Sequence, residues 1–186
     1  MFLQLMAMLV AGFAISSALR MRGEETAGRA EPVLAAAIPR WRWAASHLVI
    51  SVVGGTAILI LTGLAFGATA ALATQDAGML AELAGASLVH LPALWLTVGV
   101  AVALFGFAPR AVALVWAVLA YAVTVGMLGG LLQFPSWAYD LSPFAHAPQL
   151  PAEDLTFTPL ITLTLIAAAL MGTGLDAFRR RDLSTA

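Results

Sequence analysis

Residues 43–75, WAASHLVISVVGGTAILILTGLAFGATAALATQ, run for 33 positions without one Asp, Glu, Lys or Arg. At ~1.5 Å of rise per helical residue such a stretch outreaches the ~30 Å of hydrocarbon in a bilayer. Four more uncharged stretches lie around it, at 1–19, 83–109, 111–139 and 155–175, and a shorter one at 32–39. Backbone N–H and C=O groups in lipid must be satisfied within the segment, so runs this long and apolar are helices. The expected fold is an all-α membrane protein, a polytopic bundle of five transmembrane helices over about 2–19, 44–67, 88–108, 111–132 and 157–178. Composition agrees: of 186 residues 61% are hydrophobic and only 10% charged, against about 25% charged in an average soluble domain.

The totals exclude several chemistries. There is no cysteine, which removes disulfides, Cys-based metal sites and thiol catalysis. The sequence also has no lysine, and a phosphate-binding P-loop needs that ammonium at the terminal phosphates. If ATP drives the protein, another chain binds it. A formal net charge of −1 lacks the basic surface that a nucleic-acid partner requires.

Charge alternates from one loop to the next. Arg20, Arg22, Arg29, Arg40 and Arg42 fall between the first two spans, Arg110 between the third and fourth, and Arg179, Arg180 and Arg181 after the fifth. The other two loops have no base and carry Asp76, Glu82, Asp140, Glu153 and Asp154. Short arginine-rich loops resist translocation, so all nine arginines are expected in the cytoplasm, with the amino terminus outside and the carboxyl terminus inside. Arginine as the sole basic residue type besides histidine, together with abundant alanine, suggests a GC-rich bacterial genome and hence the bacterial plasma membrane. A start outside with no hydrophilic flank points to a fragment or to missing upstream spans. The competing reading takes residues 1–18 as a signal peptide ending at Ser16-Ser17-Ala18.

Two loops carry candidate function. In 20–43, Glu24, Glu25 and Glu31 are interleaved with Arg22 and Arg29, and Pro32 and Pro39 bracket a short apolar helix at 32–38. Arginines that only fix topology need no acids among them. Alternating charges beside an apolar helix suit a docking surface for a cytoplasmic partner, although a solvated topological loop is the simpler alternative. In 133–156, prolines at 135, 143, 148 and 151 preclude a continuous helix, while Phe134, Trp137, Tyr139 and Phe144 suit the interfacial aromatic belt. This reads as an external cap, either an aromatic anchor or a gate. Gly63-x-x-x-Gly67 and Gly126-x-x-x-Gly130 let helices approach closely.

The remaining polar residues argue against an enzyme or an ion pump. The topology separates His47 from His90 and His146 by most of the bilayer, so no bis-histidine haem or compact proton relay forms, and no metal site is expected. Span interiors hold no Asp, Glu or Arg, the residues that mark ion pathways. Ser46 and His47 are sequence neighbours on different helix faces, which is no catalytic dyad.

Taken together, Arg22-x-Glu24-Glu25-x-x-Gly28-Arg29-x-Glu31-x-x-Leu34-Ala35-x-x-x-x-Arg40-x-x-Trp43 resembles the first intracellular loop of ABC-2-type permeases. Phe105-Gly106-x-x-Pro109-Arg110, Pro135-x-Trp137, Leu141-Ser142-Pro143-Phe144-x-His146-x-Pro148 and Phe178-Arg179-Arg180-Arg181-Asp182-Leu183 resemble the carboxyl-terminal half of the polyketide-antibiotic exporter branch. The resemblance spans essentially the whole chain. It implies a permease half of six spans, of which these five are the second to sixth, so that the first helix is lacking. By the same resemblance Glu24, Glu25, Gly28, Arg29 and Glu31 couple to a separate ABC ATP-binding subunit that holds ATP and Mg. Pro135, Trp137, Ser142, Pro143, Phe144, His146 and Pro148 then belong to an external gate.

The implied function is export of hydrophobic or amphipathic compounds, such as polyketide antibiotics or drugs, together with the other permease half or a second copy. ATP hydrolysis belongs to the partner, and this chain is no enzyme. The rival from another class is a non-transporting membrane scaffold that docks a cytoplasmic protein through the same arginine loop.

Overall fold

The computed structural model describes residues 2–26, 40–150 and 154–180, and among these every regular element is helical. The α-helices are α1 (Phe2–Thr26), α2 (Arg40–Thr74), α3 (Gly78–Leu88), α4 (Leu91–Phe107), α5 (Leu114–Leu132), α6 (Ser136–Asp140) and α7 (Phe157–Arg180). Two 3₁₀ turns, Pro109–Ala111 and Pro143–His146, join α4 to α5 and follow α6. Five segments are long and apolar enough to cross a membrane: Phe2–Glu25, Trp41–Thr74, Gly78–Phe107, Leu114–Leu132 and Phe157–Arg180. The all-helical bundle with five membrane-length helices is the architecture that the uncharged runs require.

The helices differ from the sequence expectation mainly at their ends. α1 runs on past Leu19 to Thr26, because Arg20–Glu25 are mostly good helix formers and Met21 is buried against the bundle. The part of loop 20–43 nearest the membrane is therefore helix. α2 continues to Thr74 and stops at Gln75, which takes a left-handed φ of 57°. The third crossing is interrupted: α3 ends at Leu88, and α4 restarts at Leu91 with Pro92 in its first turn. Proline has no N–H to return to the preceding turn, so the break falls where it does.

Contacts between the helices set their directions. From α1 to α2 they pair Phe2 with Phe66, Phe13 with Gly54, Ala14 with Gly55 and Glu24 with His47, a falling register that makes the two antiparallel. Down α3 and α4, Leu80 meets Gly67, Ser87 meets Gly63 and Trp95 donates to the Thr56 hydroxyl at 3.0 Å. The broken crossing thus descends alongside α2 as one ladder. α5 is antiparallel to α1, with Leu119 at Gly12 and Met8 at Gly126. α7 is parallel to α4, with Leu170 at Gly99 and Phe178 stacked on Phe105.

α4 forms the centre. Ala93, Leu94, Val98, Ala101, Val102 and Phe105 are at most 3% exposed, enclosed by α1, α2, α5 and α7. α1 contributes a row of small side chains, Ala7, Ala11, Ala14 and Ala18, at helical spacing. Many other large apolar residues face outward, among them Leu61, Leu72, Leu131 and Leu165. Lipid is as apolar as this core, so close contact rather than hydrophobic sorting holds the helices together.

Candidate functional site: the arginine end and the outer cap

The end of the bundle that gathers the arginines is built from the last turns of α1, α4 and α7 and the first turn of α2. Trp43 on α2 meets the Phe178 ring at 6.1 Å, and Phe178 meets Phe105 of α4 at 5.0 Å. All three rings are buried. Beside them Glu24 of α1 reaches across to α2, its Oε2 lying 3.3 Å from His47 Nε2, and His47 also stacks edge-on against Trp43. On α7 Asp176 accepts from Arg179 at 3.1 Å and Arg180 at 2.8 Å, the i+3 and i+4 pairing its spacing allows.

Of the expected coupling residues, Glu24 and Glu25 are thus at the tip of α1, Glu24 tied to α2 and Glu25 half-buried. Gly28, Arg29 and Glu31, and the short helix expected at 32–38, lie outside the described residues.

The opposite end carries the cap. α5 closes at Gln133, in left-handed conformation with φ 51°, where the Phe134 N–H returns to the Gly129 carbonyl at 3.1 Å. The chain then folds back over the bundle through α6 and the Pro143–His146 turn. Two long-range hydrogen bonds fasten it: Tyr121 Oη donates to the Ala138 carbonyl at 2.8 Å, and Gln4 Nε2 donates to the Phe144 carbonyl at 3.3 Å.

The seven expected gate residues divide into two sets. Ser142, Pro143, Phe144 and Pro148 are buried against the bundle, whereas Pro135, Trp137 and His146 stand on the surface. His146 is held locally, with Nδ1 3.0 Å from the Ser142 carbonyl oxygen. His90 is buried at the break above α4. Among the described residues no three His, Cys, Asp or Glu side chains gather as a metal site would require.

The glycine motifs find different neighbours. Gly63 and Gly67 are seated against α3: a Cβ on Gly63 would strike the Ser87 side chain, and one on Gly67 would lie 2.7 Å from the Leu80 carbonyl oxygen. A Cβ on Gly126 would meet Met8 of α1 at 2.9 Å, while Gly130 faces open space within 4 Å.

The tightest approach to a neighbouring backbone lies elsewhere, in a set of glycines that reading by the Gly-x-x-x-Gly pattern missed. A Cβ on Gly106 of α4 would collide with the Gly174 carbonyl of α7, one on Gly174 would be 2.7 Å from the Val102 oxygen, and one on Gly99 would be 3.0 Å from the Ala167 oxygen. Gly99 and Gly106 are seven residues apart, two turns on one face, which was the available signal.

The geometry contains a basic end braced across four helices, a fastened outer cap and, among the described residues, a bundle core without Asp, Glu or Arg. Residues 1–179 match the protein family described as "Multidrug efflux system permease Rv1217c, C-terminal domain". The chain is also 42% identical, over 177 residues and 95% of its length, to the "Multidrug efflux system permease protein Rv1217c" of Mycobacterium tuberculosis (strain ATCC 25618 / H37Rv). It spans 32% of the length of that relative. A match over nearly every residue means that this chain belongs to the family of multidrug efflux system permease carboxyl-terminal domains.

Proposed function

We propose that this chain is a permease component of an ATP-driven ABC exporter of the ABC-2 type, close to the polyketide-antibiotic branch, and that it moves hydrophobic or amphipathic compounds out across the bacterial plasma membrane. The observation that carries the reading is the chain-long identity to a multidrug efflux permease. The charge distribution supports the orientation, with the arginine end in the cytoplasm and the start of α1 outside.

In this reading a separate ATP-binding subunit, holding ATP and Mg, docks on the loop from 20 to 43 through Glu24, Glu25, Gly28, Arg29 and Glu31. The Glu24–His47 pair and the Trp43–Phe178–Phe105 stack would transmit its movement to α2, α4 and α7 together. Pro135, Trp137, Ser142, Pro143, Phe144, His146 and Pro148 would form the outer gate. α7 turns an exposed stripe of Thr158, Thr162, Ala169, Gly172 and Thr173 away from α4, which suits the other permease half or a second copy. The chain performs no hydrolysis itself.

The test is the complete transporter with Glu24, Glu25 and Arg29 all changed to alanine. Loss of export and of substrate-stimulated ATPase activity, with assembly intact, is the expected result. Unchanged export and ATPase activity would overturn the coupling assignment. His47→Ala serves as the control for the Glu24 pair alone and is expected to cost far less.

A further inference from the structure

Between the last turns of α1 and the 3₁₀ turn that joins α4 to α5 lies an open cleft of about 320 Å³, lined by Leu19, Arg22, Gly23, Arg110, Val112 and Ala113. Two guanidinium-bearing side chains from separate elements share it, and among the described residues that line it none is a carboxylate. The rest of its wall is apolar or small. It opens beside lipid-facing residues of α5, with Leu114 59% and Trp116 42% exposed. Two guanidinium groups at one cleft set up a positive potential that attracts an anion. Arg22 also keeps an interaction within the chain, but a guanidinium has five N–H donors and serves more than one acceptor.

We propose that this cleft binds the phosphodiester headgroup of an anionic membrane phospholipid, with Arg22 and Arg110 on the phosphate and the first acyl methylenes along Leu19, Val112 and Leu114. Several features favour a lipid over a soluble phosphate. The cleft sits where the membrane-length segment Leu114–Leu132 begins, and apolar side chains continue from it along α5. A headgroup also fits the basic end of a membrane bundle, where arginines near an anionic leaflet attract it. The site does not depend on the export reading. It needs only that α1 and α5 cross a bilayer.

Brominated lipids quench tryptophan within van der Waals reach, and Trp116 stands one turn above Ala113. The full chain, reconstituted with Trp116 as the sole tryptophan and the other four changed to Phe, is titrated with dibrominated phosphatidylglycerol and with dibrominated phosphatidylcholine. The expected result is a preference for phosphatidylglycerol of roughly fivefold per arginine, the factor to which the usual attraction of one near-surface arginine converts. Arg22→Gln/Arg110→Gln should remove that preference, and Arg179→Gln/Arg180→Gln should leave it. Native mass spectrometry of the unaltered chain supplies a second readout, in which retained phosphatidylglycerol should fall in the Arg22→Gln/Arg110→Gln protein. Equal quenching by both lipids, or a preference that survives the double change, overturns the proposal. So does a preference abolished by 10 mM inorganic phosphate at constant ionic strength, which would assign the cleft to a soluble phosphate.

Discussion

Single atoms decide the α4–α7 contact. A Cβ on Gly106 has nowhere to go, because the atom in its way is the Gly174 carbonyl and belongs to the backbone. Gly106→Val should therefore destabilise the protein by at least the usual cost of overpacking, about 1–3 kcal/mol, and lower the melting temperature in detergent. Gly174→Val should behave alike, since the two residues face each other. Gly130→Ala is the contrast: with nothing within 4 Å it should be neutral, or stabilising by up to about 1 kcal/mol through helix propensity. If Gly106→Val melts with the unaltered protein, the helices do not pack as described. The sequence pattern does not point to this contact, because Gly130 completes a Gly-x-x-x-Gly motif while Gly106 and Gly174 complete none. Chain pattern records spacing on one helix, and the partner's carbonyl is invisible in it.

At the scale of an element, side-chain hydrogen bonds and buried residues fasten the outer cap. Tyr121 Oη and Gln4 Nε2 are the donors that tie it to α5 and α1. Tyr121→Phe removes one hydrogen bond and should cost about 0.5–1.5 kcal/mol, read as a lower melting temperature. The burial pattern of the cap is directly testable because the chain has no cysteine of its own. A cysteine placed at Trp137, 61% exposed, should react rapidly with a water-soluble maleimide, and one at Ser142, fully buried, should react at least tenfold more slowly. Equal rates would mean that the Pro143–His146 turn is not seated on the bundle. The prolines and aromatics announced a structured cap. They did not separate Phe144, an anchor in the core, from Trp137, a surface ring, since both are large aromatic residues within two positions of a proline.

For the whole molecule, the decisive question is which way it stands in the membrane. Contacts at the arginine end join α1, α2, α4 and α7, so its described arginines must share one side. A cysteine at Gly23, which is exposed on α1, should be labelled by an impermeant reagent in inside-out vesicles and protected in intact cells. One at Trp137 should show the reverse. Labelling of Gly23→Cys from outside would invert the molecule and remove the coupling end from the reach of a cytoplasmic motor.

Length, hydropathy and arginine placement by themselves determined that this is a bundle of five membrane-length helices, and which loops share a side. Those properties add up along the chain, and a bilayer reads them segment by segment. Tertiary structure alone decided the rest. It placed α4 at the centre, ran α7 parallel to it over a glycine notch, seated Met21 of the extended α1 against the bundle and joined Glu24 to His47. Each of these depends on what lies opposite a residue in space. Where most of the helices are apolar on all faces, no periodic stripe reports their neighbours, and only the fit of surfaces can choose them.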